Sequence, residues 1–211
     1  MSVFGYHIHG FFKKEMPMLF LSILVALTVN TADIDKKPHS GETVVESPEP
    51  KALVVYYSRT GTTEKVGELI AVALNGDTEK IIDKKDRSGV WGYIVAGKDA
   101  GFGNETEIEP TKHDPSDYDL VIIGTPIWAW SMAPAVRTYI NQNKGNFKNV
   151  VFFTTSGGTG YDKVVPSMED LIGKEAIFKN GFLEKEVKDD SPGMVKKLNN
   201  MIDFIKRHFE S

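Results

Sequence analysis

The chain has 211 residues, 41% of them hydrophobic and 26% charged, with a formal net charge of −4 and no cysteine. That length suits one globular domain with an extension. The lack of thiols excludes a disulfide framework, a thiolate metal site, a lipid-bearing cysteine and thiol catalysis, and no basic stripe or aromatic platform with interleaved lysines points to nucleic acid.

Residues 1–32 read as a signal-like or anchoring segment. Lys13 and Lys14 precede a fourteen-residue apolar stretch, Met16 to Val29, which is followed by Asn30-Thr31-Ala32. Basic, apolar and small-residue regions in that order are those of a secretory signal, and the stretch is shorter than the roughly 20 residues that span a bilayer. Used in this way, residues 16–29 would export the protein or associate it with a membrane. The competing reading is a start at Met16 or Met18, or an apolar arm packed on the domain, with the protein then cytoplasmic. Residues 33–50 contain three prolines and few apolar side chains, and read as a disordered linker. The folded domain is expected over 51–211.

Leu53 to Thr63 begins that domain. An apolar, β-branched and aromatic run stops at hydroxyl residues and one glycine, and a helical pattern follows. Ser58, Thr60, Thr62 and Thr63 surround Gly61, with Arg59 among them, in a turn suited to a phosphate. It is neither a Gly-Lys-Ser/Thr loop nor Gly-x-Gly-x-x-Gly. The competing reading is an ordinary strand-to-helix connection with Thr62 or Thr63 as N-cap.

The spacing predicts a helix over 63–74, with Val66, Leu69, Ile70 and Leu74 on one face and Asn75-Gly76 at its end. A short strand is predicted over Thr78 to Ile82. Gly89-Val90-Trp91-Gly92-Tyr93 opens a helix that Gly101-Phe102-Gly103 closes, and Glu105 to Tyr118 reads as a loop. Trp91 and Tyr93 are taken as plugs of a core edge, and the sequon Asn104-Glu105-Thr106 as a chance match.

Leu120 to Gly124 is a third strand, running into Thr125, Pro126, Ile127, Trp128, Ala129 and Trp130. Ala133-Pro134 then opens a helix whose Val136, Tyr139 and Ile140 face inward. Asn149 to Thr154 is a fourth strand, running into Thr155, Ser156, Gly157, Gly158, Thr159 and Gly160. A helix over Val164 to Ile172 and a fifth strand over Ala176 to Leu183 follow. Ser191-Pro192 caps a last helix with Val195, Leu198, Met201, Ile202, Ile205 and Phe209 on its apolar face.

This alternation predicts an α/β fold with a three-layer parallel sheet. In such a sheet, the loops at the carboxyl ends of the strands converge on one crevice. One loop here offers hydroxyls and amides, one offers indoles, and one offers glycine-rich backbone. Flavin mononucleotide (FMN) needs those three things.

At these motifs the chain resembles the flavodoxin-like family, and especially its short-chain members with a Ser-x-Thr-Gly-x-Thr phosphate loop, over Lys51 to Phe209. The resemblance implies a five-stranded sheet of order 2-1-3-4-5 and an FMN site. Ser58, Arg59, Thr60, Gly61, Thr62 and Thr63 would form its phosphate loop. Pro126, Ile127, Trp128, Ala129 and Trp130 would form the first ring loop, and Ser156, Gly157, Gly158, Thr159 and Gly160 the second. One tryptophan is expected to stack on the ring and the other to pack against the sheet. The fifth strand lacks the insertion that splits it in long-chain flavodoxins.

Flavodoxins carry a glycine beside the flavin N5, whose peptide turns over on one-electron reduction; this chain has Trp128-Ala129-Trp130 there. Alanine resists positive φ, which tilts the expectation to two-electron transfer. The donor would be NAD(P)H or a redox protein, and the acceptor a quinone or a similar small molecule or protein. Residues 51–211 hold 21 Lys and Arg against 23 Asp and Glu, a net of −2, unlike the strongly acidic face of a dedicated shuttle. A one-electron carrier and a membrane-tethered domain without flavin are the alternatives. No general acid or base stands near the loops, and His113 reads as solvated or structural. An exported flavoprotein folded around its cofactor would be expected to carry a twin-arginine signal, where this chain has Lys13-Lys14.

Overall fold

The computed structural model describes residues 49–87 and 89–210, without the side chains of Val90, Trp91 and Tyr93. The segment 1–32, nearly all of the linker and the expected core-edge role of Trp91 and Tyr93 therefore lie outside the described residues. Among the described residues, no helix is long and apolar enough to cross a membrane.

The three inner parallel strands are largely apolar runs because helices cover both faces of the sheet. The two edge strands, Asp77–Lys80 and Phe178–Leu183, carry charged and polar residues. The parallel strands are β1 (Ala52–Tyr56), β2 (Asp77–Lys80), β3 (Leu120–Trp128), β5 (Asn149–Ser156) and β6 (Phe178–Leu183). Their order is β2-β1-β3-β5-β6, all parallel. Counted as the five main strands, this is the expected 2-1-3-4-5 arrangement. A sixth strand, β4 (Ser131–Met132), was not anticipated and pairs antiparallel with the end of β3.

The helices are α1 (Thr62–Ala73), α2 (Gly89–Gly101), α3 (Pro134–Gln142), α4 (Tyr161–Ile172), α5 (Glu184–Lys188) and α6 (Pro192–Glu210). Strand residues alternate between the faces of the sheet. Leu53, Val55, Val121 and Ile123 join Tyr139, Ile140, Val164 and Met168 of α3 and α4 in one buried cluster. On the other face, α1 and α6 pack against β1 and β6 and against each other, with Val66, Ile70, Met201 and Ile205 buried. Ser191 accepts a hydrogen bond from the Met194 N–H at 3.2 Å and so caps α6 as expected.

Several boundaries differ from the sequence reading: β3 runs on to Trp128 and β5 to Ser156, and three others have a local cause. β2 ends at Lys80 rather than Ile82; Ile81 is buried and its N–H donates to Tyr56 O at 2.8 Å, outside the strand ladder. β6 begins at Phe178 rather than Ala176, whose N–H is drawn to Glu169 Oε1 at 2.9 Å. α4 begins at Tyr161, three residues early, because Gly160 at φ 108 turns the chain directly into the helix.

Candidate cofactor site

Because β1, β3 and β5 are parallel, their three unusual loops leave the sheet on the same side. After β1, Gly61 (φ 87) occupies the N-cap position of α1, with no side-chain cap. This corrects the reading in which Thr62 or Thr63 caps the helix. Thr62 is the first helical residue, while Thr63 is buried, its Oγ1 2.8 Å from Thr155 Oγ1. Ser58 Oγ accepts from the Gly61 N–H at 3.1 Å and closes the loop.

With no side chain to cap them, the first amides of α1 retain their positive potential. A cavity of about 210 Å³ opens beside them, lined by Arg59, Thr60, Thr62, Thr63, Ser156 and Glu184 among others. A Cβ at Gly61 would meet nothing within 4 Å, so the loop backbone faces open space.

A second cavity, of about 480 Å³, shares Ile127, Trp128, Ser156 and Gly157 with the first. The two form one continuous cleft. Its walls are Trp128, Ala129 and Trp130 on one loop and Ser156 to Thr159 on the other, with Ile94, Gly97 and Lys98 contributed by α2. Added Cβ atoms at Gly157 and Gly158 would meet nothing within 4 Å, leaving backbone at the cleft rim open to a ligand edge.

The indole loop is a hairpin rather than an extended connection. Trp128 pairs with Ser131 and Ile127 with Met132, which leaves Ala129 (φ 46) and Trp130 (φ 59) as the two central residues. Positive φ at both is the signature of a type I′ turn, normally made by Asn-Gly. The expectation that alanine avoids this region is thus overturned, at a strain of roughly 1–2 kcal/mol per residue. What holds the turn is its base: Met132 is fully buried, Arg137 Nη2 donates to Ser131 Oγ at 3.0 Å, and the Ala133 N–H donates to Thr125 Oγ1 at 3.0 Å.

The turn also separates the tryptophans. Trp128 packs against the core and meets Tyr57 edge-on, with ring centroids 5.5 Å apart. Trp130, at the tip, is 62% exposed. Gly160 passes close beneath it: a Cβ there would lie 2.9 Å from Ile127 Cγ2 and 3.4 Å from Trp130 Cδ1.

The α2 wall is fixed by a buried ionic cluster. Arg87 Nε donates to Asp83 at 2.5 Å and Nη1 to Asp99 at 3.0 Å, and Lys85 Nζ reaches Asp99 at 2.8 Å. The Lys85 hydrogen bond, with Arg87 and Asn104 adding to it, holds the Asp99 carboxyl below its ordinary range. Burial, reinforced by the Asp83 carboxylate, pushes the Tyr57 phenol up to about 12, so the hydroxyl behind Trp128 stays protonated.

Sequence reasoning missed Ile94, Gly97 and Lys98, which come from a helix remote in the chain, and also Thr155 and Glu184. Thr155 was read as the first residue of the glycine-rich loop, without a role in the site. His113 is structural: its Nδ1 lies 2.7 Å from Tyr118 Oη, which donates to Asp77 at 2.8 Å, at the opposite ends of the strands from the cleft.

A doubly wound parallel sheet with a continuous cleft at the carboxyl ends of its strands defines an α/β domain of the nucleotide-binding kind. The profile of the flavodoxin family matches residues 51–201, and the chain belongs to that family. Among solved structures, it is similar to a flavoprotein in complex with FMN from Lactobacillus acidophilus, at 26% identity and a TM-score of 0.56, over 66% of this chain and 97% of that one. A putative flavoprotein from Bacteroides eggerthii matches at 28% identity and a TM-score of 0.54, over 66% and 94% of the two chains. A putative flavoprotein from Bacteroides uniformis, at 22% identity and a TM-score of 0.56 over 67% and 97%, shares the fold.

Proposed function

We propose that this chain is an FMN-dependent oxidoreductase that takes two electrons from NAD(P)H and passes them to a quinone or a similar acceptor. The observation that carries the reading is the continuous cleft, with its uncapped helix terminus and hydroxyls at one end and its indoles and open glycine backbone at the other. Arg59, Thr60, Thr62 and the first amides of α1 would hold the phosphate. Trp128, Trp130 and residues 156–159 would orient the ring and exclude water. When bound, FMN supplies the redox chemistry, and the protein supplies position and electrostatics.

The pinned hairpin supports the two-electron reading. Ala129 and Trp130 already sit at positive φ between two paired positions of β3 and β4, and turning over the peptide between them would give a type II′ turn, whose first central position favours glycine over alanine. The near-neutral domain favours the same reading.

The test is a visible spectrum of the full chain incubated with FMN, followed by anaerobic titration with NADH, NADPH and dithionite. Bound yellow flavin bleached by a pyridine nucleotide, with no long-wavelength intermediate, is expected. A colourless protein would sink the flavin reading. A stable long-wavelength form obtained only with dithionite would make the protein a one-electron carrier.

A further inference from the structure

We infer that Lys98 makes the ring end of the cleft selective for planar acceptors that carry a negative charge; this rests on the oxidoreductase reading above. Lys98 lies in the last turn of α2 and lines the same cleft as Ile94, Gly97 and the indole hairpin. Of the described residues lining this part of the cleft, it alone is ionisable.

Its charge is not neutralised from within. Among the described residues, the Lys98 ammonium makes no ion pair or hydrogen bond, while its backbone carbonyl accepts from the Phe102 N–H at 3.0 Å. The adjacent carboxylate, Asp99, is already engaged by Lys85 and Arg87. Glu184, the acidic residue of the cleft, lines the phosphate end and is paired with Lys188 at 2.6 Å.

The residues that line this part of the cleft with Lys98 are largely apolar and aromatic, and two of them, Ile94 and Trp130, are 51% and 62% exposed. A cation at the edge of a low-dielectric wall focuses its field into the opening, while the lysine stem adds apolar surface to that wall. The matching acceptor has a flat apolar body, to lie over the outer face of the bound ring beside Ile94, and an anionic substituent, to reach Lys98. A neutral quinone would use only the first of these contacts.

The test compares 1,4-naphthoquinone with 1,4-naphthoquinone-2-sulfonate as acceptors for the FMN-loaded full chain and for Lys98→Gln and Lys98→Glu. Binding of naphthalene-2-sulfonate, which cannot be reduced, is followed in parallel by tryptophan fluorescence. Lys98→Gln should lower kcat/KM for the sulfonate about tenfold, through KM, and move the neutral quinone less than about twofold. Lys98→Glu should lower it further, and high salt should erase the wild-type preference. Flavin content should be equal in all three proteins.

Equal losses for both quinones, or none for either, would overturn the inference and leave the oxidoreductase reading standing. Charge-selective binding of naphthalene-2-sulfonate without turnover of either quinone would do the reverse.

Discussion

The hydroxyls of Thr63 and Thr155 meet at 2.8 Å in the protein interior, joining the first turn of α1 to the end of β5. One belongs to the loop after the first strand and the other to the strand before the glycine-rich loop. Two walls of the cleft are therefore coupled by a single buried hydrogen bond. Thr63→Val should destabilise the domain by about 1–3 kcal/mol, because the Thr155 hydroxyl is left buried without a partner, and Thr155→Val should do the same. The double variant should cost clearly less than the sum. A denaturant double-mutant cycle measures this, and strict additivity would refute the coupling.

Ala129→Gly tests the strain in the hairpin. Relief of roughly 1–2 kcal/mol of left-handed backbone strain, less roughly 0.5–1 kcal/mol of glycine chain entropy, predicts a net gain of about 0.5 kcal/mol. Urea denaturation should show a higher midpoint with an unchanged slope. A loss of stability would mean that residue 129 is not held at positive φ in solution.

Gly160→Ala should act in the opposite direction. A methyl group there meets Ile127 Cγ2 at 2.9 Å on a backbone of φ 108, so a loss of about 1–3 kcal/mol is expected from overpacking and strain together. The fluorescence of Trp130, which the same Cβ approaches at 3.4 Å, should shift with it. Unchanged stability and fluorescence would show that the Ile127–Trp130 wall yields freely.

Glu184 places a carboxylate at the phosphate end of the cleft. Glu184→Gln should tighten FMN binding about threefold at low salt and have little effect at high salt. Isothermal titration of the apo full chain at two ionic strengths reads the difference. Weaker binding would instead make Glu184 a hydrogen-bond acceptor for the ligand.

Acid should loosen the α2 wall. Asp99 is held below its ordinary carboxyl range chiefly by the Lys85 hydrogen bond, with Arg87 contributing. A depressed folded pKa means that its stabilisation is present above the unfolded value of about 3.9, and is lost as pH falls through the folded pKa below it. Asp99→Asn should therefore flatten the acid limb of the stability profile and leave a lower plateau at neutral pH. An acid limb identical to wild type would remove Asp99 from the account.

The inner strands and the three loops were readable because parallel strands buried on both faces leave apolar runs that stop at hydroxyls, indoles or glycines, and most helices from their apolar spacing; the strand order came from the family resemblance. β4 was not, because Ala129-Trp130 carries none of the usual turn chemistry; its conformation is imposed by the buried Met132 and the Ser131–Arg137 bond. Ile94 and Lys98 were invisible as site residues for a different reason. A helix wall has no strand end to announce it, and helical spacing alone does not say which face meets a cleft. The capping role of Gly61 was also missed, since hydroxyl neighbours satisfy the usual capping pattern.

β3 outruns its neighbours: it last pairs with β1 at Gly124 and with β5 at Pro126, and continues to Trp128 with only β4 beside it. The indole hairpin is thus a cantilever rooted in the middle of the sheet. Its base belongs to the central strand of the sheet. Any widening of the cleft to admit or release a ligand falls to the helix carrying Ile94 and Lys98, which is held by the buried Ala96 and Ala100 and by the Asp99 ion pairs rather than by strand pairing.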